Sequence, residues 1–447
     1  MTAHRRIRLA GLLLPAALLA GCSGYYGAGE EAPLEGVRKS VMLLDERIVA
    51  DPRIAELAVV LPEPVRNIAW EQTGGNATHA MQHLDLGDSI GEVWRADIGS
   101  GSSSSARLLS SPVVAMGRVF TVDAEGSISA FAATNGDLAW RMRPDGLDDS
   151  DRLPGGGLAY ADGRIFVGTG SGVVVAVDAG TGAEIWRRSL LAPIRTPPAV
   201  GSSAGGNLLL VTTSDNQLIA LDPVVGDVLW QHAGLFEQAA ILGGAPAAID
   251  GPMVVATYSS GEVFALSARD GQEVWSDAVL RPRRTLAIGA INDITGAPVI
   301  DREQIIIAGN GGELVAFDRN SGARRFDVNI TSRNSPWVAG DFVYLLTERN
   351  EVVCLLRAGG RARWVSPLER LVDPDDPVSR RIFWAGPVLA GDRLILAGST
   401  SEAVTVSPYN GEILGRIDLP GPVSVTPVVA DGSLYILTDN GTLLAYR

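Results

Sequence analysis

The chain has 447 residues, enough for two or three ordinary domains or for one large β structure. Its 52 glycines favour many turns over long helices, and 37 basic residues stand against 51 acidic ones, a net charge of -14. So acidic a body gains little by approaching polyphosphate, which argues against a nucleic-acid partner; the charge mainly keeps the protein soluble.

Residues 1–21 read as a secretory signal. Arg5, Arg6 and Arg8 precede an apolar run, "LAGLLLPAALLAG", too short and too soon followed by polar residues to make a membrane span. Its end, "LAGC", resembles the bacterial lipobox, in which the cysteine becomes the acylated first residue after cleavage. Cys22 is then the lipidation site, and Ser23 behind it fits sorting to the outer membrane. Cleavage removes three of the 37 basic residues and no acid, leaving 34 against 51, or -17.

Residues 22–90 form a tether and lead-in. "YYGAGEEAPLEG" is rich in Gly, Glu and Pro, a short helix is expected within residues 37–61, and "IAWEQTGGNATHAMQHLDLG" leads into a repetitive region that begins at residue 91.

From residue 91 to 447 one unit recurs. "EGSISAFAATNGDLAW" ends at Trp140, "SGVVVAVDAGTGAEIW" at Trp186, "DNQLIALDPVVGDVLW" at Trp230 and "SGEVFALSARDGQEVW" at Trp275. Phe326 takes the Trp place in the next unit, Trp364 closes a shorter one, and Gly415 fills the place in the seventh. The spacings of 46, 44, 45, 51, 38 and 51 centre on the length of a four-stranded propeller blade. Short Val- and Ile-rich strands alternate with turns built from Gly, Asn and Asp, which tolerate positive φ. The Trp falls on the outermost strand, where a large flat side chain covers the seam between neighbouring sheets.

The last segment supplies three strands and stops at Arg447, while Trp94 lies on an orphan strand near residue 92. Joining the two completes a blade and removes an open edge. The fold expected is therefore all-β: an eight-bladed β-propeller with four-stranded antiparallel blades, its ring closed by an N-terminal strand joining the C-terminal blade. Residues 92–447 number 356, or 44.5 per blade.

Catalytic signals are few. His79 and His83 have the i, i+4 spacing of two ligands on one helix face, but no HExxH glutamate and no nearby Cys completes a site, so a structural role is expected. "GSSAG" around Ser203 falls between strands of one blade, not at a strand-to-helix elbow. "GTGSG" at 168–172 is a hairpin turn with no helix behind it. "DPDDP" at 373–377 reads as an acidic, proline-broken surface loop more readily than as a calcium site. Cys354 has no intramolecular partner once Cys22 is acylated, and behaves as a small core hydrophobe. No cofactor and no metal are predicted.

The pattern A-x-D-x-x-T-G-x-x-x-W from Ala176 to Trp186 resembles the pyrroloquinoline-quinone-type propeller repeat, over about residues 68–447. That repeat serves both quinone dehydrogenases and the BamB family of lipoproteins in the outer-membrane barrel assembly machinery. Adjacent cysteines and a CxxCH haem motif, common in the dehydrogenases, are missing here, and the compressed sixth repeat looks like the BamB pattern. The resemblance implies a non-catalytic scaffold, lipid-anchored at the periplasmic face of the outer membrane. It would bind the POTRA domains of BamA, with unfolded barrel proteins as a further class of partner. A quinoprotein-like dehydrogenase and a propeller scaffold for another envelope partner are the alternatives. By the family's docking pattern, the place of a docking arginine is held by Ile241 and a leucine place by Ala240; Asp293 keeps one acid and Thr295 replaces the second. Ile241, Leu242, Arg284 and Asp293 are the expected partner-binding residues, with Leu242 or Ile241 as apolar anchor and Arg283 and Arg284 restoring charge.

Overall fold

The computed structural model describes residues 47–144, 155–203, 205–237, 241, 243–279 and 293–447. The body of the fold runs from Ile48 to Arg447 and contains eight separate four-stranded sheets, all antiparallel. Seven blades follow the chain directly, each running from an inner strand outward; blade one begins at Val113–Ala115 and blade seven ends at Ile413–Asp418. Blade eight takes Val428–Ala430, Ser433–Leu437 and Thr442–Tyr446 from the C-terminus and Glu92–Asp97 as its outer strand. This is the eight-bladed propeller expected, closed as expected.

Burial explains why the middle strands read as unbroken apolar runs. In blade two, Ile165, Phe166, Val167, Val174, Val175, Ala176 and Val177 are all buried, because neighbouring blades cover both faces of the sheet. The outer strand Glu184–Ser189 is largely exposed and correspondingly polar.

Trp186 joins blade two to blade three. Its Nε1 donates to the Pro223 carbonyl of blade three at 3.2 Å, and its ring lies over Gly226. That glycine has φ +76°, and a Cβ there would come within 2.6 Å of the ring. The same donation joins Trp94 to Ala133, Trp140 to Ala179, Trp230 to Ala268, Trp275 to Arg319 and Trp364 to Pro408, at 3.0–3.1 Å. The residue paired across the sheet from each Trp is small: Ala445, Ala130, Ala176, Ala220, Ala265 and, for Trp364, Cys354. Cys354 thus occupies the repeat's alanine place, fully buried, and burial pushes its thiol far above the ordinary range.

The lead-in has a role that periodicity does not announce. In residues 67–84 a single irregular strand passes around the inside of the ring and bonds to the inner strands of all eight blades in turn. Asp431 of blade eight donates to the Asn67 carbonyl (2.7 Å), Trp70 exchanges two bonds with Val114 of blade one, and Tyr160 of blade two donates to Glu71 (2.7 Å). The Gln72 side chain accepts from Val200 of blade three at 2.6 Å. Ile249 of blade four and Ile300 of blade five donate to Ala77 and Thr78. Gln82 accepts from Trp337 and Gly340 of blade six, and Leu84 pairs with blade seven through Leu389 and Gly391. Inner strands in a wide ring leave one edge of N–H and C=O groups unpaired, and this segment satisfies part of it.

Trp70, only 1% exposed, stacks on Trp337 with ring centroids 6.3 Å apart. The helix expected within 37–61 is not observed over its described part: residues 47–61 hold a single 3-10 turn, Pro52–Ile54, set by Asp51 capping the Arg53 N–H.

Candidate functional site

Several of the lead-in's bonds fall at or just past the C-terminal ends of inner strands, at Tyr160, Gly340, Leu389, Gly391 and Asp431, towards one mouth of the channel. The opposite mouth, at the N-terminal ends, opens as a funnel of about 680 Å³ whose lining includes Thr73 of the lead-in. Loops entering the blades form much of its wall, contributing Leu108, Pro246, Ala297, Ser335, Phe383 and Thr426. Ile241 and Thr295 line it too.

At the rim, Asp293 is completely buried and paired with Arg195, itself 7% exposed. The same carboxylate oxygen accepts the Ile241 backbone N–H at 2.7 Å. One carboxylate therefore ties together the loops entering blades three, four and five. Of the predicted partner-binding residues, the structure brings Ile241 and Asp293 into contact; Leu242 and Arg284 lie outside the described residues, as do Ala240, Arg283 and Cys22. The Asp293 carboxylate is buried and engaged within the protein by Arg195 and the Ile241 N–H. Thr295, in the second acid's place, donates its hydroxyl to the Arg333 carbonyl at 3.0 Å.

Arg195 was missed. The sequence "PIRTPP" places an arginine before a strand, but its partner lies 98 residues away, and nothing local signals that distance.

The funnel's charge is opposite to that of the whole chain. Among the described residues lining it are Arg107, Arg333, Arg370 and Arg381 against one acid, Glu348. Glu348 lies 3.0 Å from Arg333 Nε. Burial pushes its carboxyl up, while Arg333 and Arg381 pull it back down.

Other sequence features have structural roles. His79 is not on a helix; its φ is +58°, and its Nδ1 lies 2.7 Å from the Pro298 carbonyl. His83 faces the Pro62 carbonyl through Nδ1 and accepts the Asp392 N–H at Nε2. Ser203 closes the hairpin between two strands of blade three by donating to Gly206 O. In "DPDDP" the carboxylates of Asp373 and Asp376 cap turns by accepting the N–H groups of Asp375 and Val378. Among the described residues no group of three or more His, Cys, Asp or Glu is arranged to hold a metal ion, and no helix is long and apolar enough to cross a membrane.

Fold and site together define an eight-bladed propeller of quinoprotein-type repeats whose lead-in is bonded to the inner strands of its blades and whose loops entering the blades surround an open funnel. The family profile described as "Outer membrane protein assembly factor BamB" matches residues 88–153 and 124–366. A curated relative of that description, from Burkholderia pseudomallei, is 27% identical over 362 residues, covering 80% of this chain and 88% of the relative. The chain belongs to the BamB family of outer membrane protein assembly factors. Among solved structures, BamB from Moraxella catarrhalis superposes with a TM-score of 0.64 at 19% identity, over 80% of this chain and 100% of that one. A europium-containing methanol dehydrogenase reaches 0.66 at 13% identity, over 85% and 98%. The propeller alone therefore does not separate assembly factors from dehydrogenases; the family match does.

Proposed function

We propose that the chain is a non-catalytic scaffold of the barrel assembly complex, held at the periplasmic face of the outer membrane by acylated Cys22, and that its funnel face docks the POTRA domains of BamA. Supporting the reading above all is the tie at the rim: Asp293, Arg195 and the Ile241 backbone fix three successive loops of that face relative to one another. Rigidly held loops on one end of a scaffold are where binding residues concentrate. In this reading Asp293 positions the docking loops, and Ile241 and Leu242 supply apolar contact.

The cavity's chemistry favours binding over catalysis. The one carboxylate among its described lining residues, Glu348, is paired with Arg333, which leaves no obvious acid–base pair or cation ligand set. Affinity of the soluble protein for purified POTRA domains tests the proposal. Ile241→Asp places a charge in an apolar contact and is expected to cost at least about 2 kcal/mol of binding. Unchanged affinity in a folded variant would remove this face from consideration.

A further inference from the structure

The basic funnel is hard to reconcile with a surface shaped only for solubility. A chain of net charge -14 gathers four arginines and one acid around a cavity of about 680 Å³. Three of the arginines come from segments entering different blades: Arg107 precedes blade one, Arg333 blade six and Arg370 blade seven. Arg381 is set beside Arg370 by a short hairpin, since Leu371 pairs with Arg381 and the Ile382 N–H donates to the Arg370 carbonyl at 2.9 Å. Both arginines are exposed at the mouth. Beside them the funnel also offers apolar surface, chiefly the exposed ring of Phe383.

We infer that the funnel receives an acidic, extended segment of a protein partner, with its carboxylates on Arg370, Arg381 and Arg333. The inference rests on the docking reading above and names the chemistry of what docks. A guanidinium offers a planar fork matched to a carboxylate. The funnel already holds one carboxylate in this way: Glu348 on Arg333, with Arg381 near enough to act on it. An incoming acid replaces Glu348 as their partner. A cavity of this size admits the side chains of a loop or a chain end rather than a folded domain. The acidic remainder of the surface repels such a segment and leaves the funnel as its favoured approach.

The test uses the soluble protein and a fluorescein-labelled peptide of roughly ten residues, mostly Glu and Asp with a few Leu, followed by anisotropy against a Gln-for-acid control. Wild type should bind the acidic peptide and not the control, and more weakly as salt rises. Arg370→Gln with Arg381→Gln should weaken binding at least about 10-fold. Both residues are exposed, so circular dichroism should report an unchanged fold. Glu348→Gln removes the internal competitor and should tighten binding, an outcome that a merely structural Glu348 does not give. Equal binding of acidic and control peptides, a double variant that binds like wild type, or a weaker Glu348→Gln each overturns the inference. Co-purification with BamA is measured on the same double variant. If BamA is retained while peptide binding is lost, the acidic-segment inference fails and the docking proposal stands; if wild type never recovers BamA, the docking proposal fails.

Discussion

Asp293 and Arg195, 98 residues apart in sequence, form an ion pair closed almost entirely to solvent, and the same carboxylate holds the backbone of Ile241. A buried pair is not itself a strong source of stability, but removing one partner strands the other charge in a place where water cannot solvate it. Asp293→Ala should therefore lower unfolding stability by about 3–5 kcal/mol. Asp293→Asn, which still accepts from Ile241, should lose less. Urea unfolding measures both, and a loss below about 1 kcal/mol for Asp293→Ala would mean the pair does not organise the rim.

The lead-in makes a second prediction. Trp70 is buried against Trp337 where blade one meets the channel, and truncating such a side chain costs about 3–5 kcal/mol. Trp70→Ala should also make residues 67–84 accessible to protease before the blades are cut. Should the variant unfold as wild type does, with no early cleavage, the segment would be a passive filler.

Gly226 and Gly432 make a matched pair. Both have positive φ, +76° and +68°, but a Cβ at Gly226 meets the Trp186 ring whereas one at Gly432 meets nothing within 4 Å. Gly432→Ala should cost only the left-handed backbone penalty, about 1–2 kcal/mol. Gly226→Ala should cost more, because the seam must open. Equal thermal shifts for the two would show that the Trp contact is loose.

The ring was legible in the sequence because each blade repeats one local solution: a short apolar strand, a glycine turn, a small residue facing Trp. Every element of that solution lies within one unit, so Trp140, Trp186 and Trp230 marked the seams, and the closing role of Trp94 followed from the incomplete last unit. The lead-in was not legible. Its bonds run to eight strands spread from Val114 to Asp431, and an irregular segment carries no period to reveal them. His79 and His83 illustrate the difference: spacing suggested one helix face, whereas each ring is placed by a different proline carbonyl. At the rim the sequence points to Ile241 and Asp293 but not to Arg195, whose partner lies 98 residues away.

His79 gives the lead-in a pH dependence. Burial lowers its pKa from 6.5 to about 4, partly offset by the Pro298 carbonyl. Because the folded form resists protonation, its stabilising contribution is complete above pH 6.5 and is lost as pH falls from there towards 4. The loss amounts to about 3 kcal/mol. Glu71 and Glu348, whose carboxyls burial pushes up, act in the opposite sense; His232, pushed down by burial, acts in the same sense. Comparing wild type with His79→Gln isolates the term: their stability difference should change between pH 7.5 and 4.5, in favour of the variant at low pH. A difference independent of pH would mean that His79 takes up its proton in the folded state.

Recovery of partners from the native envelope tests the central claim most directly. A C-terminally tagged full-length chain is purified from detergent-solubilised membranes, and the co-purifying proteins are identified. The account predicts that BamA is recovered with wild type and diminished with Ile241→Asp at equal levels of folded protein. Recovery of wild type without BamA, or equal recovery with both, would contradict it.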